Sequence, residues 1–146
     1  MPTPFESAQL NLQLYDLRRE PVLREARAWF LWDFNPESFE ELMAVVRGEK
    51  NSWFRMVLSY WEMACSMVSS GAIDAESFYA AHAEVFATFS KVQPFVAQLR
   101  EVTGEADAFK HLEAVLLAAP GAEAILARRR EVFRAAAKTR AQKGSA

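Results

Sequence analysis

Ser52-Trp53-Phe54-Arg55-Met56-Val57-Leu58-Ser59-Tyr60-Trp61-Glu62-Met63-Ala64-Cys65-Ser66-Met67-Val68-Ser69 is the stretch that decides the fold. Apolar side chains surround it except along one polar stripe, formed by Arg55, Ser59, Glu62, Ser66 and Ser69. These spacings of four and three residues follow one face of an α-helix. A helix that is apolar on nearly every side is normally enclosed by other helices. The segment therefore predicts an all-α bundle built around a central helix over residues 52–69.

Caps and breaks divide the remaining sequence into further helices. Thr3 and Glu6 form a capping box, and Asp74 caps a helix that we expect to run to about Val92. For the helix near residues 39–46 two N-caps are possible, Asn35 and Ser38. Proline and glycine mark the later ends. The pattern predicts six to eight helices and no strands, in one domain over residues 1–146 whose basic tail frays from about residue 138.

The composition limits the class of protein. The 146 residues are 51% hydrophobic, enough for a core, and the net charge is −2. Cys65 is the only cysteine, so an intramolecular disulfide is impossible. No apolar run reaches the roughly 20 residues of a membrane span, and the N-terminus lacks the features of a signal peptide. We therefore expect a soluble, cytoplasmic protein.

Motifs for several reaction types are missing. Neither His82 nor His111 follows a glutamate by three residues, as a two-metal helical bundle would require. The five glycines form neither a phosphate loop nor a dinucleotide fingerprint, and no nucleophile elbow is present. We accordingly expect no metal and no cofactor, assign no catalytic residue, and lean against an enzyme.

One possible ligand pocket can still be drawn around the polar stripe. It would contain Arg55, Ser59, Glu62 and His82, closed by Trp53, Tyr60 and Trp61. His82 lies within an apolar helix face and needs a hydrogen-bond partner, for which Glu62 is a candidate. Such a pair could act as a base in a pocket. The simpler interpretation is a structural contact beside a strip of solvent-exposed helix.

A dense aromatic cluster suggests a different function. It contains Trp29, Phe30, Trp32, Phe34 and Phe39. The two tryptophans share one helix face, and Phe30 and Phe34 share the next, so one face could remain outside the core. The alternative is a wide face that is buried between two layers of helices. Aromatic side chains of that kind anchor protein interfaces. The leading hypothesis is therefore a non-enzymatic interaction module that forms a homodimer through an aromatic helix face.

Positive charge is concentrated near the C-terminus. From Gly121 onward there are seven Lys or Arg and two Glu, giving +5, whereas the rest of the chain carries −7. The basic cluster consists of Arg128, Arg129, Arg130, Arg134, Lys138 and Arg140. Such a helix could hold the phosphates of a nucleic acid. Because no recognition motif accompanies it, a solvated helix end is the favoured interpretation and nucleic acid is not an expected partner.

The segment from Tyr60 to Leu112 resembles a family of uncharacterised bacterial all-helical proteins that is known only as a domain of unknown function. The residues that carry the resemblance are Trp61, the turn Gly71-Ala72-Ile73-Asp74, Phe89, Pro94, Arg100, Phe109 and Leu112. Tryptophan is usual in the family where this chain has Phe89, and members often have an N-terminal membrane helix that this sequence lacks. The resemblance implies an all-helical fold and no established activity, so no functional residue is carried over.

Overall fold

The computed structural model describes residues 1–145 of the chain as a series of helices joined by short turns. The helices are α1 (Pro4–Leu17), α2 (Pro21–Trp32), α3 (Phe39–Val46), α4 (Asn51–Ser69), α5 (Ala75–Ala81), α6 (Glu84–Val92), α7 (Val96–Thr103), α8 (Lys110–Leu117) and α9 (Ala122–Gly144). A 3₁₀ turn, Gln93–Phe95, joins α6 to α7. No strand occurs within residues 1–145, and the predicted all-α fold is confirmed.

Helix α4 takes the central place that its sequence predicts. It packs against α2, α3 and α8, and its buried side chains belong to the single hydrophobic core that the helices share. Arg55 and Ser59 of the polar stripe are exposed. Helix α6 shares the centre, because every residue from Val85 to Val92 is buried between α2, α8 and α9.

Local capping chemistry explains where the first helices begin. Thr3 and Glu6 form the predicted capping box, with the Thr3 Oγ1 accepting from the Glu6 N–H and the Glu6 carboxylate accepting from the Thr3 N–H. Of the two candidate caps of α3, Ser38 is the one used. Asn35 instead donates its amide to the carbonyl of Trp32, at 3.1 Å.

The predicted continuous helix from Asp74 to Val92 is wrong, because the chain leaves the helical conformation at His82. The backbone there has φ −130° and ψ 55°, and α6 begins only at Glu84. The His82 ring is fully buried and held by α1. A tertiary contact, which helix periodicity does not report, therefore divides the segment in two.

The C-terminal helix also extends further than expected. The structure places helix through Gly144, where fraying from about residue 138 was predicted. Arg140 anchors this end by donating to the Trp32 carbonyl at 2.8 Å. Within residues 1–145, no helix combines the length and the apolar character needed to cross a membrane.

Candidate functional site

Three tryptophans form a partly exposed surface on α2 and the start of α4, here called the tryptophan face. Trp29 and Trp53 pack edge to face with ring centroids 6.2 Å apart. Trp32 is 49% exposed and rests against Phe133 of α9, at 5.2 Å between centroids. A shallow cleft of about 540 Å³ runs across this surface, lined by Glu25, Ala28, Trp29, Trp32, Asp33, Lys50, Trp53 and Arg140.

The structure separates the four aromatic residues proposed as an interface. Phe30 and Phe34 are 0% and 2% exposed and pack against Phe54 inside the core. They cannot touch a partner while the protein is folded, so this part of the prediction needs correction. Trp32 is exposed, whereas Trp29 lies at the edge of the core, partly buried and stacked on Phe34 with ring centroids 5.4 Å apart. Trp53, which the sequence suggested as a pocket wall, joins them instead.

Charged groups of both signs surround the tryptophan face. The Lys50 ammonium lies 3.7 Å from the centroid of the Trp53 ring, a cation–π contact. Arg140 reaches from α9 to the Asp33 carboxylate, at 3.0 Å. Glu25 supplies a further carboxylate to the lining. The surface thus has an aromatic centre and a mixed charged rim, which is the usual arrangement of a protein interface.

Directly beneath this face, Lys91 closes the C-terminal end of α2. Its ammonium donates to the carbonyls of Phe30 and Phe34, each at 2.8 Å, and to the carbonyl of Leu31. The Asn35 side-chain oxygen lies 3.0 Å from the same nitrogen, so the three N–H groups are shared among four acceptors. Helix ends carry unsatisfied carbonyls and partial negative charge, so a cation there stabilises the helix. Lys91 therefore stabilises the C-terminal end of α2, the helix that carries Trp29 and Trp32.

Sequence reasoning missed Lys91, although a signal was present. It is the one charged residue between Val85 and Val92, an otherwise apolar and small-residue run. Only 4% of the residue is exposed, and burial lowers its pKa to about 7. A lone lysine in such a run indicates a buried cation that must find acceptors.

Glu62 is engaged at the N-terminus of α8. Its carboxylate accepts from the backbone N–H groups of His111 and Leu112, at 2.9 Å each. The N-cap residue of α8 is Phe109, which has a positive φ of 59° and no side-chain acceptor of its own. Glu62 supplies that acceptor from another helix, and its negative charge suits the helix dipole.

His82 has a different partner from the one proposed. Its Nε2 lies 3.1 Å from Oδ1 of Asn11, and the ring packs between Trp61 and Phe78. Among residues 1–145 its Nδ1 has no hydrogen-bond partner. Burial lowers the pKa of His82 to about 4, so the imidazole is neutral at pH 7. The suggested Glu62–His82 pair is therefore not formed.

The other residues of the proposed pocket are also dispersed. Arg55 and Ser59 face solvent, whereas Trp61 is fully buried. The Tyr60 hydroxyl donates to the Leu14 carbonyl of α1. The polar stripe is thus exposed at Arg55, Ser59 and Ser69, and half-buried at Glu62, which caps α8, and at Ser66. Within residues 1–145, no three histidine, cysteine or acidic side chains converge as metal ligands would; the expectation of no metal and no cofactor stays a prediction.

Helix α9 carries the basic cluster, and two of its cations are used within the protein. Arg130 donates to the Ser90 carbonyl at 2.7 Å and to the Gln93 side-chain oxygen at 2.8 Å. Arg140 pairs with Asp33. Both fasten α9 to the body of the bundle, which reduces the charge available to a phosphate backbone.

The remaining cations of α9 are spread over different surfaces. Arg128 and Arg129 border a mainly apolar groove of about 620 Å³ between α9 and the α5–α6 region. Arg134 and Lys138 line a separate shallow cleft beside Arg130. The six basic residues therefore do not share one surface.

A comparison with known protein families identifies the family of this chain. The family described as a domain of unknown function, DUF4760, matches residues 4–118. The chain belongs to this family. Membership confirms the resemblance seen in the sequence and extends it from Tyr60–Leu112 to most of the chain. No curated protein and no solved structure matches this DUF4760 protein.

The family match also divides the tryptophan face. Helices α1 to α8 lie within the matched residues, whereas α9 begins at Ala122, beyond residue 118. Trp29, Trp32 and Trp53 thus come from the family region, and Phe133 and Arg140 come from outside it.

Proposed function

We propose that this DUF4760 protein is a non-enzymatic helical interaction module that associates with a second copy of itself through the tryptophan face. The observation that carries the proposal is the exposure of Trp32, 49%, beside Trp29 and Trp53. Large aromatic side chains contribute more binding free energy than any others when a partner covers them. One exposed tryptophan beside two partly buried ones forms an apolar surface that a partner can cover.

The charges around the tryptophans support a second copy as the partner. A two-fold interface brings the same surface together twice, so that surface must complement itself. The rim supplies the Glu25 carboxylate and the Lys50 ammonium, in addition to the Asp33–Arg140 pair formed within the chain. A two-fold rotation can therefore place Glu25 of one copy opposite Lys50 of the other. A rim of a single sign would instead repel its own copy.

The hydrogen bonds that hold the C-terminal end of α2 favour binding of a partner without rearrangement. Lys91 ties the last turn of α2 to α6, and Arg140 ties it to α9. The tryptophans are consequently held by three helices before a partner arrives. Preorganisation of this kind lowers the entropy cost of association.

The two alternative functions have weaker support. A ligand pocket around Arg55, Glu62 and His82 would need these groups to converge, but Glu62 caps α8 and His82 bonds Asn11. Nucleic-acid binding by α9 would rely on the basic cluster, of which Arg130 and Arg140 are already bonded within the protein.

Sedimentation velocity tests the proposal over about two orders of magnitude in protein concentration. We expect the weight-average sedimentation coefficient to rise with concentration, and Trp32→Ser to abolish the rise. Because Trp32 is half exposed, its loss leaves the core intact. Leu12→Ser is the matched control, since Leu12 is 70% exposed on α1, outside the cleft. A wild-type monomer at every concentration, or equal effects of both variants, would refute the proposal.

A further inference from the structure

Four arginines line one cleft at the turn between α1 and α2, here called the arginine cleft. It has a volume of about 370 Å³ and is lined by Tyr15, Arg18, Arg19, Arg24 and Arg27. The sequence did not reveal it, because Arg18 and Arg19 follow α1 whereas Arg24 and Arg27 lie on α2, with acidic residues among them. The turn brings them together.

Two of these arginines share a single carboxylate. The Arg27 guanidinium donates two hydrogen bonds to Glu84, at 2.7 and 2.8 Å, and Arg18 lies 3.6 Å from the same carboxylate. The three side chains are only 11–17% exposed. One carboxylate cannot neutralise two guanidinium groups, so one positive charge remains where water screens it poorly. Buried charges of this kind need a counter-charge.

Arg18 is held in place but only partly satisfied. Its guanidinium carbon lies 4.8 Å from the centroid of the Tyr15 ring and 5.3 Å from that of Trp61. Within residues 1–145 its buried Nε has no hydrogen-bond partner. The aromatic rings fix the plane of the guanidinium and leave this N–H unused. A fixed guanidinium whose charge is only partly balanced attracts an oxyanion to the adjacent cleft.

The mouth of the cleft adds positive charge. Arg19 and Arg24 are exposed there. Asp16 approaches Arg19 only to 3.8 Å at the surface, a weak ion pair. The Glu20 carboxylate is occupied by the Leu23 backbone N–H of α2, at 2.8 Å. Four arginines thus face three carboxylates, those of Asp16, Glu20 and Glu84, which leaves the cleft with excess positive charge.

We propose that the arginine cleft binds the phosphoryl group of an anionic ligand. A phosphate ester carries up to two negative charges and accepts paired hydrogen bonds from guanidinium groups. Its negative charge would balance the second guanidinium group that shares Glu84, and its oxygens would be within reach of Arg19 and Arg24. The same group occurs in soluble phosphate compounds and in lipid headgroups. Leu17 and Val22, exposed on either side of the turn, are compatible with a lipid surface.

Isothermal titration calorimetry with inorganic pyrophosphate tests the soluble source. We expect saturable binding by the full chain, weakened about tenfold in Arg24→Gln, because one charge-assisted hydrogen bond is worth about that factor. Arg47→Gln, an exposed arginine of the α3 C-terminus outside the cleft, should bind like the wild type. Co-sedimentation with vesicles of phosphatidic acid, against neutral phosphatidylcholine, tests the lipid source with the same variants.

Glu84→Gln supplies a test with the opposite sign. Removing this carboxylate leaves two guanidinium groups free, so pyrophosphate should bind about tenfold more tightly and raise the Tm of this variant more than that of the wild type. Binding to the vesicles alone, still sensitive to Arg24→Gln, would assign the phosphoryl group to a lipid. Absence of binding to both probes would overturn the proposal. Equal loss in Arg24→Gln and Arg47→Gln, or weaker binding by folded Glu84→Gln, would do the same.

Discussion

Replacing Lys91 with methionine should destabilise the protein far more than a typical lysine substitution. Methionine keeps the apolar length of the side chain and removes the ammonium. The carbonyls of Phe30 and Phe34 are bonded to Lys91 in buried positions and would lose their donor. The bonds to Leu31 and Asn35 are only partly buried, so water can replace them.

The magnitude follows from the two buried carbonyls. An unsatisfied buried acceptor costs roughly 1–3 kcal/mol, so the two together amount to roughly 2–6 kcal/mol of unfolding free energy. Removal of a buried charge offsets part of this loss. Lys110→Met is the control, because that side chain is 53% exposed and pairs with Asp107 at the surface. We expect its effect to be under about 0.5 kcal/mol.

Urea denaturation followed by circular dichroism measures both variants at pH 6, where Lys91 is charged in the native protein. Because burial lowers the pKa of Lys91 from 10.5 to about 7, the unfolded chain binds a proton between these values that the native protein lacks. The unfolding free energy of the wild type should therefore rise with pH in this window, by at most about 1.4 kcal/mol per pH unit. Lys91→Met should lose this rise. Equal stabilities of Lys91→Met and Lys110→Met would refute the assigned role of Lys91.

Two further predictions concern the buried His82 side chain and the Glu62 carboxylate that caps α8. His82 has a pKa lowered from 6.5 to about 4, so the unfolded chain is protonated before the native protein, and stability should fall by about 3 kcal/mol as the pH drops through that window. Urea denaturation at several pH values should show that His82→Gln removes this loss and that His111→Gln keeps it. Glu62→Ala should lower the unfolding free energy by about 1–2 kcal/mol, because α8 loses its cap. Hydrogen exchange should then quicken at the amides of His111 and Leu112 more than in α1, and uniform quickening would contradict the assignment.

Much of the helical architecture could be predicted from local patterns. The polar stripe at helical spacing in residues 52–69 identified α4 and its exposed positions, including Arg55 and Ser59. Thr3 and Asp74 identified two helix starts, because an N-cap contacts residues only three positions away, whereas for α3 the sequence left Asn35 and Ser38 as alternatives. The break at His82 escaped prediction because its cause is Asn11, 71 residues earlier.

The candidate sites depended on contacts between distant residues. Helix spacing separated Trp29 and Trp32 from Phe30 and Phe34, but only packing against α4 decided which pair would be buried. Phe133 and Arg140, more than 90 residues away, complete the surface beside Trp32.

The sequence by itself determined that the chain is helical, where most helices begin and which faces are apolar. Only the tertiary structure decided the partners of its buried polar groups: Lys91 at the end of α2, Glu62 at the start of α8, and Arg18 with Arg27 on Glu84. The physical reason is the distance along the chain over which each kind of interaction acts. Helix propensity and capping act within about one turn, whereas a buried charge is satisfied by whichever acceptor the folded chain brings to it.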